Sequence, residues 1–132
     1  MADFRKLRIW QAGHALAVEA ERVVEGMRKP STRDLCDQLA RAAQSIPSNI
    51  AEGSAHESPH QFARYLQYSL GSISELEAHV QMARDINAMS CVDFEFLMKL
   101  IVSERRQLER FHHLVKDRAQ LAKKPKKKRR LP

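Results

Sequence analysis

The stretch HESPH, residues 56–60, has the H-E-x-x-H order of a zinc hydrolase site. In such a site two imidazoles on one helical face hold the metal, and the glutamate beside them works on its water. Pro59 is better read as the first position of a helix, where it has no N–H to lose, with Ser58 as the cap before it. His56 then falls outside the helix, and the site is not expected to form. Glu109 and His112 make one Glu-x-x-His step, whereas a di-iron bundle needs two such steps and two further inward glutamates. That pair reads as solvated. The stretch GSIS, residues 71–74, lacks the second glycine and the preceding strand of a nucleophile elbow. Cys36 and Cys91 form neither a C-x-x-C step nor a metal spacing, and read as small apolar fillers in a reducing compartment. Neither enzymatic activity nor a metal or cofactor is expected.

Charge is the chemistry that remains. The chain of 132 residues has a formal net charge of +7. Its last stretch, KKPKKKRRLP, holds that excess in Lys123, Lys124, Lys126, Lys127, Lys128, Arg129 and Arg130, so residues 1–122 are formally neutral. Such a run repels itself and has no apolar surface to bury, so residues 123–132 are expected to be a disordered arm after a domain of residues 1–122. The arm suits a polyanion. Basic residues also collect late in the body at Arg105, Arg106, Arg110, Lys116 and Arg118.

The elements that must carry these residues read as helices throughout. Glycine and aromatic residues are scarce while Ala, Leu, Arg and Glu are plentiful, and no sheet is needed. A first helix over about residues 5–28 has two adjacent apolar stripes, Ile9, Ala12, Leu16, Ala20, Val23 and Met27, and Trp10, Ala17 and Val24. That face is wider than one seam requires. A second covers about 31–52, with Ser31 or Thr32 as its cap. A third begins at Pro59, with Ser58 capping and Gln61 placed to reach back, and its seam is Phe62, Leu66, Ser69, Ile73, Leu76, Val80 and Ala83. The fourth, about 91–121, repeats the pattern at Leu97, Ile101, Glu104, Leu108, Phe111 and Val115. Short connections make successive helices antiparallel, which predicts an all-α, up-down-up-down four-helix bundle. No run is long and apolar enough to cross a bilayer, and the start MADFRKLRIW lacks the layout of a secretory leader; the expected location is the cytoplasm, with no membrane partner.

Pro47 stands inside the second helix. The apolar steps Leu35, Leu39, Ala42, Ile46 and Ile50 stay in phase across it, so a kinked continuous helix is expected. An unsupported mid-helix proline costs about 3 kcal/mol. Ser45, Ser48 and Asn49 lie within reach to rebond the groups it frees, and Gly53 is suited to a left-handed helix end.

The segments WQAGHALA, LCDQLARAAQSIPSNIAEG and SPHQFARYLQYSLGSISELEAHVQMA closely resemble a family of bacterial four-helix bundle proteins first noted as products of intervening sequences in large-subunit ribosomal RNA. The resemblance runs from about residue 4 to 118. Relatives include the accessory protein of diversity-generating retroelements, a basic pentameric barrel that binds nucleic acid and a reverse transcriptase. The resemblance implies a homopentamer of bundles without enzymatic activity. By position, its motif residues are Gln38, Arg41, Ser45, Pro47, Asn49, Glu52, Gly53, Gly71, Ser72, Glu75 and Glu77, most of them structural, with Gly71 and Ser72 permitting close helix approach. Where many relatives carry a Gly-Arg step, this chain reads SAHES, with His56 near the place of the arginine.

Glu104 lies in the fourth seam, and a carboxylate there must be paired or sit at an open interface. Arg41 is the expected partner. The doubled stripe of the first helix and the apolar run FEFLMKLIV, residues 94–102, offer more apolar surface than one core can hide, which points to self-association. The reading is an oligomeric bundle that binds RNA or DNA by phosphate contacts without sequence specificity, since exposed aromatics are not interleaved with the basic residues. In a pentamer, five arms would act at high effective concentration. The alternative is a scaffold that recruits an enzyme or ribosomal protein partner, with the arm incidental.

Overall fold

A computed structural model describes residues 3–123. Four helices follow in order, α1 (Arg8–Met27), α2 (Arg33–Ser54), α3 (Pro59–Asp85) and α4 (Cys91–Lys123), and no strand occurs among the described residues. The expected tail contacts at Lys124, Lys126, Lys127, Lys128, Arg129 and Arg130 lie outside the described residues. Lys123, assigned to the tail from sequence, is the last residue of α4.

Short links make each pair of neighbours antiparallel. Between α1 and α2 a 3₁₀ turn at Pro30–Thr32 is tied back by Thr32, whose buried hydroxyl donates to the Met27 carbonyl at 2.6 Å. Ser58 caps α3 by accepting the Gln61 N–H, and Pro59 takes the first helical position. At the other end of α3 the chain turns through Asn87, whose φ of 60° is left-handed. The Asn87 N–H donates to the Arg84 carbonyl and the Ala88 N–H to that of Ala83, which closes the helix in a Schellman arrangement. Arg84 then lies over the Phe94 ring at 4.1 Å, joining the end of α3 to the start of α4.

Leu16, Leu39, Ile46, Ile50, Leu66, Ile73, Leu76, Leu97, Ile101 and Leu108 meet in one core, each fully buried. The seams of α3 and α4 are those expected, with Ala63 and Ala119 added and Phe62 and Phe111 packed edge to face at their rim. On α1 most of both expected stripes is used within the chain, with Ala12 and Trp10 only partly buried. Ile9, Leu16, Ala17, Ala20, Val23, Val24 and Met27 are all buried. Large apolar side chains left exposed include Val18 of α1, Tyr68 and Met82 of α3, and on α4 Val92, which is 77% exposed, and Phe96, which is 43% exposed.

Around Pro47 the second helix continues unbroken, with the ring buried. Ser45 donates to the Ala42 carbonyl at 2.8 Å, Ser48 to Gln44 at 2.9 Å and Asn49 to Ser45 at 2.8 Å. These side chains bond the carbonyls flanking Ala43, not the one that proline deprives of its donor. Support also arrives from outside the helix, since buried Ser69 of α3 donates to the Ile46 carbonyl at 2.8 Å.

Two glycines act differently from expectation. Gly53 is helical with no positive φ; a Cβ there would meet the Tyr65 Cβ at 2.6 Å and the Phe62 ring at 3.0 Å, so its task is to let α2 approach α3. At Gly71 a Cβ would meet nothing within 4 Å, and Ser72 bonds only its own helix through the Tyr68 carbonyl. Close approach on α3 is therefore not made at Gly71 and Ser72. On α3 it is made where Gly53 of α2 meets Tyr65 and Phe62, and a second close approach occurs at Gly13 of α1, against which the Glu104 carboxylate and Ile46 pack.

Candidate nucleic-acid interface

At about 100° per residue, the late basic residues of α4 divide between faces of the helix. Arg105 turns to α3, where its guanidinium pairs with the half-buried Glu77. Arg106 and Arg110 point outward and line a shallow surface with Glu109, His113 and Leu114. They also border an apolar face of α4, where Met98 and Val102 lie beside Lys99. Lys116 and Lys123 return to the α3 side and share a cleft with His60, Arg64 and His112. Arg118 is exposed on the remaining side. The five α4 cations named from sequence thus form no single patch.

Ion pairs separate them further. Toward the end where α1 meets α2 and α3 meets α4, Arg22 is engaged with Glu19, Arg28 with Glu25 and Asp37, and Arg84 with Asp85, while Lys29 and Arg33 there are in no ion pair among the described residues. Their partners keep the Arg28 guanidinium above and the Asp37 carboxyl below its ordinary pKa, through the hydrogen bond they share. Among the described residues no ion pair engages Arg64, Arg106, Arg110, Lys116, Arg118 or Lys123. Those six belong to α4 from Arg106 onward and to the stretch of α3 packed beside it; Lys6, Arg8, Lys29, Arg33, Arg41 and Lys99 are likewise outside the ion pairs but are spread over the rest of the bundle. An unpaired cation is the form that can meet a phosphate without first losing a partner.

Arg64, His60 and His112 were not singled out as binding residues from sequence. The signal was present as two polar rows at helical spacing, His60, Arg64 and Gln67 on α3 and His112, Lys116 and Lys123 on α4, but only the antiparallel pairing brings them together. Nor are the aromatics as separated from charge as expected. Tyr65 and Tyr68 pack edge to face at 5.5 Å and His56 stacks on Tyr65 at 5.2 Å, on the helix that carries Arg64. The Tyr65 hydroxyl donates to Glu52, whose charge raises the phenol above its ordinary pKa.

His56 precedes α3 while His60 lies within it, so the H-E-x-x-H order does not present two imidazoles from one helix. No group of three His, Cys, Asp or Glu suited to a metal occurs among the described residues. Glu104 is 1% exposed, and neither of its carboxylate oxygens finds a hydrogen-bond partner among those residues. Burial alone pushes its pKa up from 4.5 to about 8. The expected pairing with Arg41 is not made. Arg41 is exposed and lines a depression with Glu21, Arg28 and Asp37, because its phase on α2 points away from the core that Leu39 and Ala42 face.

Of the remaining motif residues, Glu77 holds Arg105, Glu75 lies 3.5 Å from His79 one turn on, and Gln38 is exposed. Residues 5–110 match the model of the family described as 23S rRNA-intervening sequence protein. The chain belongs to that family. Its matched region spans all of α1 to α3 and α4 as far as Arg110, and leaves the last turns of α4 and the basic tail outside. No curated protein matches the chain. No helix among the described residues is long and apolar enough to cross a membrane.

Proposed function

We propose that this chain is a non-enzymatic, oligomeric four-helix bundle that binds RNA or DNA through phosphate contacts without reading base sequence. The observation that carries the reading is the run of unpaired cations along the last part of α4 and the α3 stretch beside it, continuous in sequence with the basic tail. Arg64, Arg106, Arg110, Lys116, Arg118 and Lys123 have no ion-pair partner among the described residues, and the sequence continues from Lys123 into Lys124, Lys126, Lys127, Lys128, Arg129 and Arg130. Phosphate contacts of this kind position a nucleic acid and carry no base information.

Self-association is supported by the uncovered side of α4. Val92, Phe96 and Val102 leave apolar surface exposed on α4, and exposed apolar patches mark association. A homopentamer is the assembly that the family resemblance implies. The same apolar surface favours the second reading, a scaffold that docks a protein partner through α4 with the tail incidental. A cytoplasmic location accompanies both.

The test is a salt titration of RNA and DNA binding by the full chain and by a chain ending at Lys123. Loss of most affinity and a flatter slope in the shortened chain support tail-driven binding. Equal affinity and slope would move the contacts to Arg106 and Arg110. Absence of binding by either at low salt would leave the scaffold reading.

A further inference from the structure

We propose that the cleft between the first half of α3 and the last half of α4 seats one phosphodiester group of a nucleic acid, gripped from opposite walls by Arg64 and Lys116. The inference rests on the nucleic-acid reading above and extends it to a defined site on the bundle. The cleft measures about 390 Å³, with His60, Arg64 and Gln67 on its α3 wall and His112, Lys116 and Lys123 on its α4 wall. Between the two rows lie Ala63 and Ala119, both buried. Their short side chains leave a groove where longer ones would fill the space between the helices.

Among the described residues no carboxylate lines this cleft. An uncompensated group of cations in a concave wall concentrates positive potential and attracts an anion. A phosphate suits the donors present, because its oxygens can accept the Arg64 fork, the Lys116 ammonium and an imidazole N–H together. His112 senses that environment: burial first, and then the charges of Lys116 and His113, hold its imidazole below the ordinary pKa. Lys123 at the cleft's end is also the residue from which the basic tail continues, so neighbouring phosphates of the same strand have further cations next in sequence.

The experiment follows the histidine ring protons of the full chain by NMR while a short single-stranded RNA of mixed sequence is added. His60 and His112 are expected to shift, with the His112 pKa rising, while His14 of α1 stays still. A chain carrying Arg64→Gln and Lys116→Gln, checked for retained helix content by circular dichroism, loses two contacts. The slope of log affinity against log salt then becomes shallower by about 1.4, and affinity falls roughly 25-fold at about 0.1 M salt relative to a 1 M reference. Arg64→Lys keeps the charge and should retain most of the slope. Unchanged affinity and slope in the double variant, with the full chain still binding RNA, would overturn the cleft and leave the wider reading standing. Absence of RNA binding by the full chain would overturn both. If poly-L-glutamate at equal charge produced the same His112 shift, the assignment to nucleic acid would fail.

Discussion

Glu104 and Gly13 form a dependent pair. The carboxyl is buried beside Gly13 of α1, where an added Cβ would meet it together with Ile46 and Ile50 of α2, and the adjacent Arg105 is turned to Glu77. With a folded-state pKa near 8 against an ordinary 4.5, the folded chain holds a proton that the unfolded chain has released. Stability is therefore expected to fall as pH rises from about 4.5 to about 8, by up to about 1.4 kcal/mol per pH unit. Denaturant unfolding across that range should show a shallower pH dependence in Glu104→Gln than in the parent chain; parallel curves would contradict the account. Gly13→Ala makes a second check. Helix propensity alone would favour alanine by about 1 kcal/mol, but the added Cβ meets the carboxylate and Ile46, and overpacking of that kind costs about 1–3 kcal/mol. A net loss in midpoint is expected. Seam spacing made the position of Glu104 legible in the sequence. Its lack of a partner was not, because only packing shows that Arg41 faces outward and that a glycine on another helix supplies the room.

The second helix shows how an element tolerates a residue that its own propensity opposes. Pro47 is buried, the carbonyls around it are bonded by Ser45, Ser48 and Asn49, and Ser69 adds a bond across from α3. Pro47→Ala restores an N–H but removes the buried ring. It should therefore gain much less than the roughly 3 kcal/mol that propensity suggests, as thermal or denaturant unfolding would record; a gain of that full size would contradict the account. Four helices, their order and most seam residues were legible because apolar steps of three and four residues persist through each segment. The Ser69 bond was not, since it joins residues far apart in sequence. Gly53 was misread for the same reason: a glycine near a helix end suits a left-handed turn and a close crossing alike, and only Tyr65 and Phe62 decide for the crossing. The left-handed residue is Asn87 instead.

At the scale of the molecule, charge and apolar surface are arranged on α4. Its inner side completes the core, its α3 side opens the cationic cleft, and its outer side leaves Val92, Phe96 and Val102 uncovered. If that outer side is an interface between copies, light scattering at micromolar concentration should give a mass several times that of the 15.2 kDa chain, and Phe96→Glu should lower it. A monomeric parent chain would contradict the assembly. The tail's net charge was plain from composition, whereas the cleft was hidden, because its two polar rows stand on separate helices and become one site only when α3 and α4 pack antiparallel. The measurement that tests the central claim most directly is the salt dependence of RNA binding by the full chain, made with two unrelated single-stranded sequences. The account predicts equal affinities for the two and a linear fall of log affinity with log salt, steep enough to correspond to several phosphates at roughly −0.7 each. A slope near zero, or strong preference for one sequence, would contradict it.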